Sequence, residues 1–169
     1  MLNDWFNGDA LAMDLLEPTG DMAVRLLVLA LLPGPLADFF RASRLLRAWL
    51  SIRRNLGVAA FLYAVLHLLI YAVDLGMLAA MFDELTLPGI WTGWLALALL
   101  VPAAATSSNA AMKSLGRRWT QLQYVVYPAL LLTFIHWLLL EWSWQKAAVH
   151  GLPLLLAWTL RALRRWQKF

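Results

Sequence analysis

Hydrophobic residues in this chain gather into five long blocks, and charge is confined to the stretches between them. The blocks run from about Ala23 to Phe40 (segment A), Leu56 to about Val73 (B), Ile90 to about Ala105 (C), Val125 to Leu140 (D) and about Val149 to Leu163 (E). Most approach the roughly 20 residues a helix needs to cross a ~30 Å hydrocarbon core at ~1.5 Å per residue. The pattern predicts an all-α integral membrane protein, a bundle of about five transmembrane helices. Pro33 and Pro35 interrupt A and must kink or end a helix there. C and E are short, so flanking Trp and Arg side chains are expected to snorkel toward the interface.

The charged connections set an orientation. Arg41, Arg44, Arg47, Arg53 and Arg54 lie between A and B, Lys113, Arg117 and Arg118 between C and D, and Arg161, Arg164, Arg165 and Lys168 at the C-terminal end. These are twelve of the 14 basic residues. The alternate regions are acidic: Asp4, Asp9, Asp14, Glu17 and Asp21 precede A, and Asp74, Asp83 and Glu84 separate B from C. By the positive-inside rule the A–B loop, the C–D loop and the C-terminus are cytoplasmic, and five crossings leave the N-terminus outside. Residues 1–22 then form an extracytoplasmic segment and 23–169 one transmembrane domain. The first 22 residues lack the basic start and apolar core of a secretory signal. No internal repeat, low-complexity tract or linker is visible. Trp49, Trp91, Trp94, Trp119, Trp142 and Trp144 fall near segment ends, where an aromatic belt is expected.

Composition sharpens this picture. The chain is 62% hydrophobic and 14% charged, against about 45–50% and about 25% for a soluble domain. The pI near 9.9 does not point to nucleic acid, because the basic residues sit in short clusters rather than along one solvated face. With no Cys, the chain forms no disulfide, no thiolate-ligated iron site and no Cys-held iron–sulfur cluster.

Two of the three histidines, His67 and His136, lie deep inside segments B and D. An ionisable side chain within a bilayer is costly and marks a functional site by default. His67 lies 11 residues, about 16 Å of helix rise, beyond Leu56, and His136 comes 18 residues beyond Arg118, so both fall in the outer half and can share a level. Two such imidazoles can ligate one metal from opposite sides, as in bis-imidazole haem iron. The plainer reading is two core histidines, each hydrogen-bonded to a neighbour. His150 precedes Gly151 and Pro153 at the outer start of E, where an exposed or loop role is expected.

Other residues carry weaker signals. Arg25 lies one turn inside the outer end of A, where it could pair with a haem propionate or snorkel to the headgroups. Tyr63 and Tyr71 flank His67 by four residues on either side and suit either a pocket lining or interhelical packing. Thr106, Ser107, Ser108 and Asn109 form a polar exit from C, more simply read as helix termination than as a flavin or quinone contact. Arg117 and Arg118 read as topology and anionic-lipid contacts.

At these residues the chain resembles a known family. Arg53-Arg54-Asn55-Leu56-Gly57, continuing through Phe61-Leu62-Tyr63-Ala64-Val65-Leu66-His67-Leu68-Leu69-Ile70-Tyr71, is similar to the haem-bearing helix of MsrQ (YedZ) proteins, which belong to the ferric-reductase-like transmembrane superfamily. Thr106-Ser107-Ser108, Leu115-Gly116-Arg117-Arg118-Trp119, Leu122-Gln123-Tyr124-Val125-Val126-Tyr127 and Ile135-His136-Trp137 supply a second match, and Thr19-Gly20 with Arg25 fit the family's entry into its next helix. The resemblance spans about Thr19 to the C-terminus. It implies a b-type cytochrome in the bacterial inner membrane. Electrons would pass from the quinone pool or a flavin, through one or two haems b, to a periplasmic molybdopterin-containing methionine-sulfoxide reductase subunit. FMN is a further candidate cofactor. Such a subunit supplies electrons and does not itself bind the sulfoxide.

Two departures stand beside this. The family has a histidine in a Leu-His motif at the start of helix D, where this chain has Gln123, a poorer haem ligand. The family pattern also carries a further N-terminal helix that this sequence lacks. On a straight helix Gln123 and His136 would lie about 220° apart, unless Pro128 alters the register. The outer pair, His67 and His136, is intact, and Gln123 marks the inner cofactor position. Two other readings are a stand-alone transmembrane ferric reductase, weakened because no nucleotide-binding domain follows E, and a non-redox structural or assembly protein.

Overall fold

Two antiparallel helix hairpins carry the molecule. The computed structural model describes residues 12–40, 43–141 and 144–166, and its regular structure there is helical throughout. The helices are α1 (Ala12–Leu31), α2 (Pro33–Leu36), α3 (Arg44–Leu75), α4 (Leu78–Asp83, running into a 3-10 turn at Glu84–Thr86), α5 (Pro88–Ala105), α6 (Asn109–Leu115), α7 (Arg117–Gln123), α8 (Val126–Glu141) and α9 (Trp144–Trp166). Arg41, Trp142 and Lys168, and residues 1–11 of the expected N-terminal segment, lie outside the described residues.

Each apolar block contains a helix, but α1, α3 and α9 begin well before their blocks. α1 begins at Ala12, well before Ala23, with Asp14 in its first turn, where a carboxylate favours the positive end of the helix dipole. It ends at Leu31, and Pro33 and Pro35 close it as expected. α3 begins at Arg44, so Arg44, Arg47, Arg53 and Arg54 are helical rather than in a connecting loop. Arginine is a good helix former, and the Ser43 side chain caps the start by accepting from the Leu46 N–H at 3.4 Å. Gly76, at φ 67°, ends the helix in the left-handed conformation that glycine adopts without strain. Segment E likewise begins early, at Trp144, so His150 is a helical residue and not part of a loop.

Three stretches are long and apolar enough to cross a membrane by length and composition: Arg44–Leu75, Pro88–Ala105 and Arg117–Leu140, the last spanning α7 and α8. α1 and α9 are long enough, at 20 and 23 residues, but more polar. α1 carries Asp14, Glu17, Asp21 and Arg25, and α9 opens Trp144-Gln145-Lys146.

α1 runs antiparallel to α3. The Leu16 carbonyl meets His67 near one end, and the Leu29 carbonyl accepts from Trp49 Nε1 at 2.9 Å near the other. α5 and α8 pair in the same way, with Gly89 beside Leu140 at one end. Val24, Leu27, Ala60, Leu100, Leu130 and Leu154 form the shared core between the hairpins and α9. The outward faces are also apolar: Leu62, Leu131 and Leu156 are 58%, 61% and 60% exposed. An apolar surface on that scale suits lipid rather than water.

The loops sort by charge at the two ends. Arg54 donates to Asn109 Oδ1 at 2.7 Å, and Arg161 pairs with Asp38 at 3.0 Å, so three separate basic regions meet at one end. At the other end lie Glu17 paired with Lys146, Asp21 with Arg25, and Tyr71 donating to Glu84.

Candidate functional site

His67 stands on α3 and His136 on α8, one on each hairpin. Their ring centroids are 6.4 Å apart and the rings are nearly perpendicular, at 89°. Each Nδ1 lies within hydrogen-bond distance of a backbone carbonyl on the partner helix of its own hairpin: His67 with Leu16 O at 2.9 Å, His136 with Gly89 O at 2.6 Å. A carbonyl oxygen can only accept, so each Nδ1 carries the proton and the lone pair falls on Nε2. That is the tautomer a metal-ligating imidazole needs, oriented by the contact that metal-bound histidines use.

Both rings rest against glycines. A Cβ on Gly93 would come within 2.6 Å of His136 Cε1, and a Cβ on Gly20 within 3.2 Å of His67 Cε1. Any other residue at Gly93 would displace the ring. The histidines border a cavity of about 740 Å³, whose walls include Ala64, Trp94, Leu97 and Thr133, with Glu17, Asp21 and Lys146 as charged members. The walls are mostly apolar and the polar groups few, as in cofactor pockets. Trp94 therefore lines the cavity instead of joining an interfacial belt.

The spacing passes a simple test. Two metal–imidazole bonds of about 2.0 Å, with each ring centroid about 1.1 Å behind its nitrogen, separate the centroids by about 6.2 Å. The 6.4 Å observed is close to that distance. Among the described residues, no three His, Asp or Glu side chains cluster as ligands for a bare ion. A metal that arrives with its own ring of donors and needs two more, as haem iron does, fits this site.

The other expected residues are placed elsewhere. Arg25 donates to Asp21 Oδ2 at 3.1 Å and to His150 Nε2 at 3.3 Å, and is not among the described residues lining the cavity. His150 is half-buried in α9, donates from Nδ1 to Lys146 O at 2.7 Å and packs against Trp137 with centroids 5.2 Å apart and the rings tilted by 57°. The expected exposed or loop role is corrected accordingly, since Pro153, although inside the helix, does not end it. Tyr71 lines the cavity, whereas Tyr63 does not. Gln123 ends α7, and its Nε2 donates to Ala103 O at 3.1 Å and to Thr106 Oγ1 at 3.2 Å. A turn at Tyr124 and Val125 separates it from α8, so the stretch from Gln123 to His136 is not one straight helix and the register argument between the two lapses. Ser108 caps α6 by accepting from Ala111 N–H, and Thr106 bonds back to Pro102 O, both helix-end roles.

Thr92, Gly93 and the Gly89 carbonyl were missed from sequence. The available signal was the dipeptide Thr92-Gly93, a second copy of Thr19-Gly20, each copy ahead of one histidine.

Comparison with known proteins agrees with this architecture. Over 151 residues the chain is 38% identical to proteins named "Protein-methionine-sulfoxide reductase heme-binding subunit MsrQ" from Brucella ovis, Brucella suis and Brucella abortus, covering 88% of this chain and 64% of each relative. The chain thus spans a little under two thirds of the length of these relatives. Residues 19–135, from the first Thr-Gly step to the doorstep of His136, match the family model described as ferric reductase like transmembrane component, and the chain belongs to that family.

Proposed function

We propose that this chain is the haem-bearing membrane subunit of a methionine-sulfoxide reductase system, with His67 and His136 as the axial ligands of one haem b. The observation that carries the reading is the 6.4 Å centroid spacing between two imidazoles whose Nδ1 atoms are both held by backbone carbonyls. The relatives from Brucella, named as haem-binding subunits of protein-methionine-sulfoxide reductase, support the same cofactor and the same system.

When bound, the haem supplies one-electron chemistry. The chain's own part is to hold and surround it. The Leu16 and Gly89 carbonyls fix both ring orientations, Gly20 and Gly93 leave room for the rings, and the apolar walls keep water out. Charged residues stand at one border of the cavity, where Lys146, paired with Glu17, would meet a haem carboxylate; Arg25, held by Asp21 and His150, stands outside the lining. Gln123 is engaged with α5 at the opposite end of that helix, and the reading assigns it no ligand role and the chain no second haem.

In this reading five helices, α1, α3, α5, the α7–α8 unit and α9, cross a bacterial inner membrane, with the basic end cytoplasmic and the acidic end outside. The expected lead-in, residues 1–22, reaches into α1, whose Leu16 and Gly20 meet His67 in the proposed haem domain. The residues that would hold the haem lie toward the acidic end, on the side of a periplasmic acceptor. Electrons enter from quinol or a reduced flavin such as FMN and leave to a molybdopterin-containing catalytic subunit that reduces oxidised methionine. The test is a reconstitution. Haem-loaded protein in vesicles should be reduced from the basic side by quinol or reduced flavin and reoxidised from the acidic side by that catalytic subunit with a methionine-sulfoxide peptide. Haem that reduces but never reoxidises under those conditions contradicts the assigned acceptor.

A further inference from the structure

The two Thr-Gly steps build the same imidazole seat twice. In α1, Thr19 Oγ1 lies 2.7 Å from Leu15 O and 2.9 Å from Leu16 O. Leu16 O is also the acceptor for His67 Nδ1. In α5, Thr92 Oγ1 lies 2.8 Å from both Pro88 O and Gly89 O, and Gly89 O is the acceptor for His136 Nδ1. The match holds position by position: carbonyls three and four residues before the threonine, the threonine, then the glycine that faces the ring. Thr19 and Thr92, at 8% and 3% exposure, are the buried polar side chains of the described residues.

A threonine bonding back to its own helix is ordinary. What is not ordinary is that the carbonyl it meets, in both hairpins, is the one that holds a histidine. A hydroxyl has one proton to give, here shared between two carbonyls. Leu16 O and Gly89 O therefore divide their acceptor capacity between a threonine O–H and an imidazole N–H. Thr19 Oγ1 is itself 3.4 Å from His67 Nδ1, longer than the carbonyl contact, so the carbonyl is the principal acceptor. The strength of an imidazole's outer hydrogen bond sets its basicity as a ligand. A more basic axial ligand favours the more positive, oxidised metal and lowers the reduction potential.

We propose that Thr19 and Thr92 are positioning residues that raise the reduction potential of the group bound between His67 and His136, by weakening the Leu16 and Gly89 carbonyls as acceptors for the imidazole N–H groups. The inference rests on the reading of the histidine pair as axial haem ligands. The threonines touch neither haem nor substrate, and act through the two carbonyls.

The experiment is a redox titration of purified, haem-loaded protein, followed in the visible haem bands, for the wild type, Thr19→Val, Thr92→Val, the double variant, and Thr19→Ser and Thr92→Ser. Valine keeps the shape and removes the hydroxyl, while serine restores it. Each valine variant should shift to lower potential with its haem content intact, the double variant should shift further, and the serine variants should stay at the wild-type value. A valine variant that fails to hold haem is replaced by alanine at the same site. Haem-replete valine or alanine variants at the wild-type potential overturn the inference and leave the ligand assignment standing. Serine variants that shift as valine does overturn it too, because packing alone would then be at work. A wild-type protein that takes up no haem overturns the ligand assignment, and this inference with it.

Discussion

Gly93 on α5 faces His136 on α8 so closely that a single added methyl would stand 2.6 Å from the ring's Cε1 and 2.7 Å from its Nδ1. The ring cannot retreat freely, because Nδ1 is tied to Gly89 O one turn along the same facing helix. Gly93→Ala should therefore break either the hydrogen bond or the ring's alignment. Loss of a metal ligand's supporting contact typically lowers affinity about 10–100-fold, and Gly93→Ala should fall in that range. Gly20→Ala, where the contact with His67 is a looser 3.2 Å, should lose only a few-fold of haem affinity. Haem transfer to an acceptor apoprotein measures both. Equal retention in the two variants would contradict the seat described for His136.

His150 is the third imidazole, and its partners are Arg25, the Lys146 carbonyl and the Trp137 ring rather than the cavity pair. His150→Ala should leave haem content and spectrum unchanged, and cost about 1–3 kcal/mol through two lost hydrogen bonds, one of them from the Arg25 guanidinium, and a ring contact. A loss of haem would make His150 a ligand. Thermal unfolding in detergent, read beside the haem band, separates the two outcomes.

Gln123 ties the end of α7 to the end of α5 through Ala103 O and Thr106 Oγ1. Gln123→Ala should cost about 1–2 kcal/mol for these two bonds and leave the haem spectrum intact. A changed spectrum would restore the ligand role that the family resemblance places at this position.

The chain has no cysteine, so single cysteines report topology cleanly. Ser114→Cys, on exposed α6, should react with an impermeant thiol reagent only from the cytoplasmic side, and Thr86→Cys, in the exposed turn after α4, only from outside. Labelling of both from the same side would contradict the proposed orientation.

The sequence made the helices legible because lipid demands long apolar blocks and internally satisfied backbone. It made their ends illegible for the same reason. The apolar block of segment B stops at Leu56, yet α3 continues to Arg44 because arginine supports a helix in water as well as leucine does in lipid. His67 and His136 could be matched in depth by counting rise, and they do stand side by side. What could not be read was the far side of each contact. Leu16 and Gly89 are unremarkable letters until the hairpins close, because a backbone carbonyl leaves no trace in composition, and Gly93 is marked only by the Thr-Gly step it shares with Gly20. Gln123 shows the opposite limit: its position within the family's motif suggested a ligand site, and the fold gives its amide to α5 instead.

The most direct measurement is the reduced-minus-oxidised visible spectrum of purified protein, with haem quantified, for the wild type, His67→Ala and His136→Ala. The account predicts a low-spin b-type spectrum with about one haem per chain in the wild type, and loss of that low-spin signature in each single variant while the protein still folds and inserts. A wild-type spectrum that survives either substitution, or a well-folded wild type that binds no haem when haem is supplied, would contradict it.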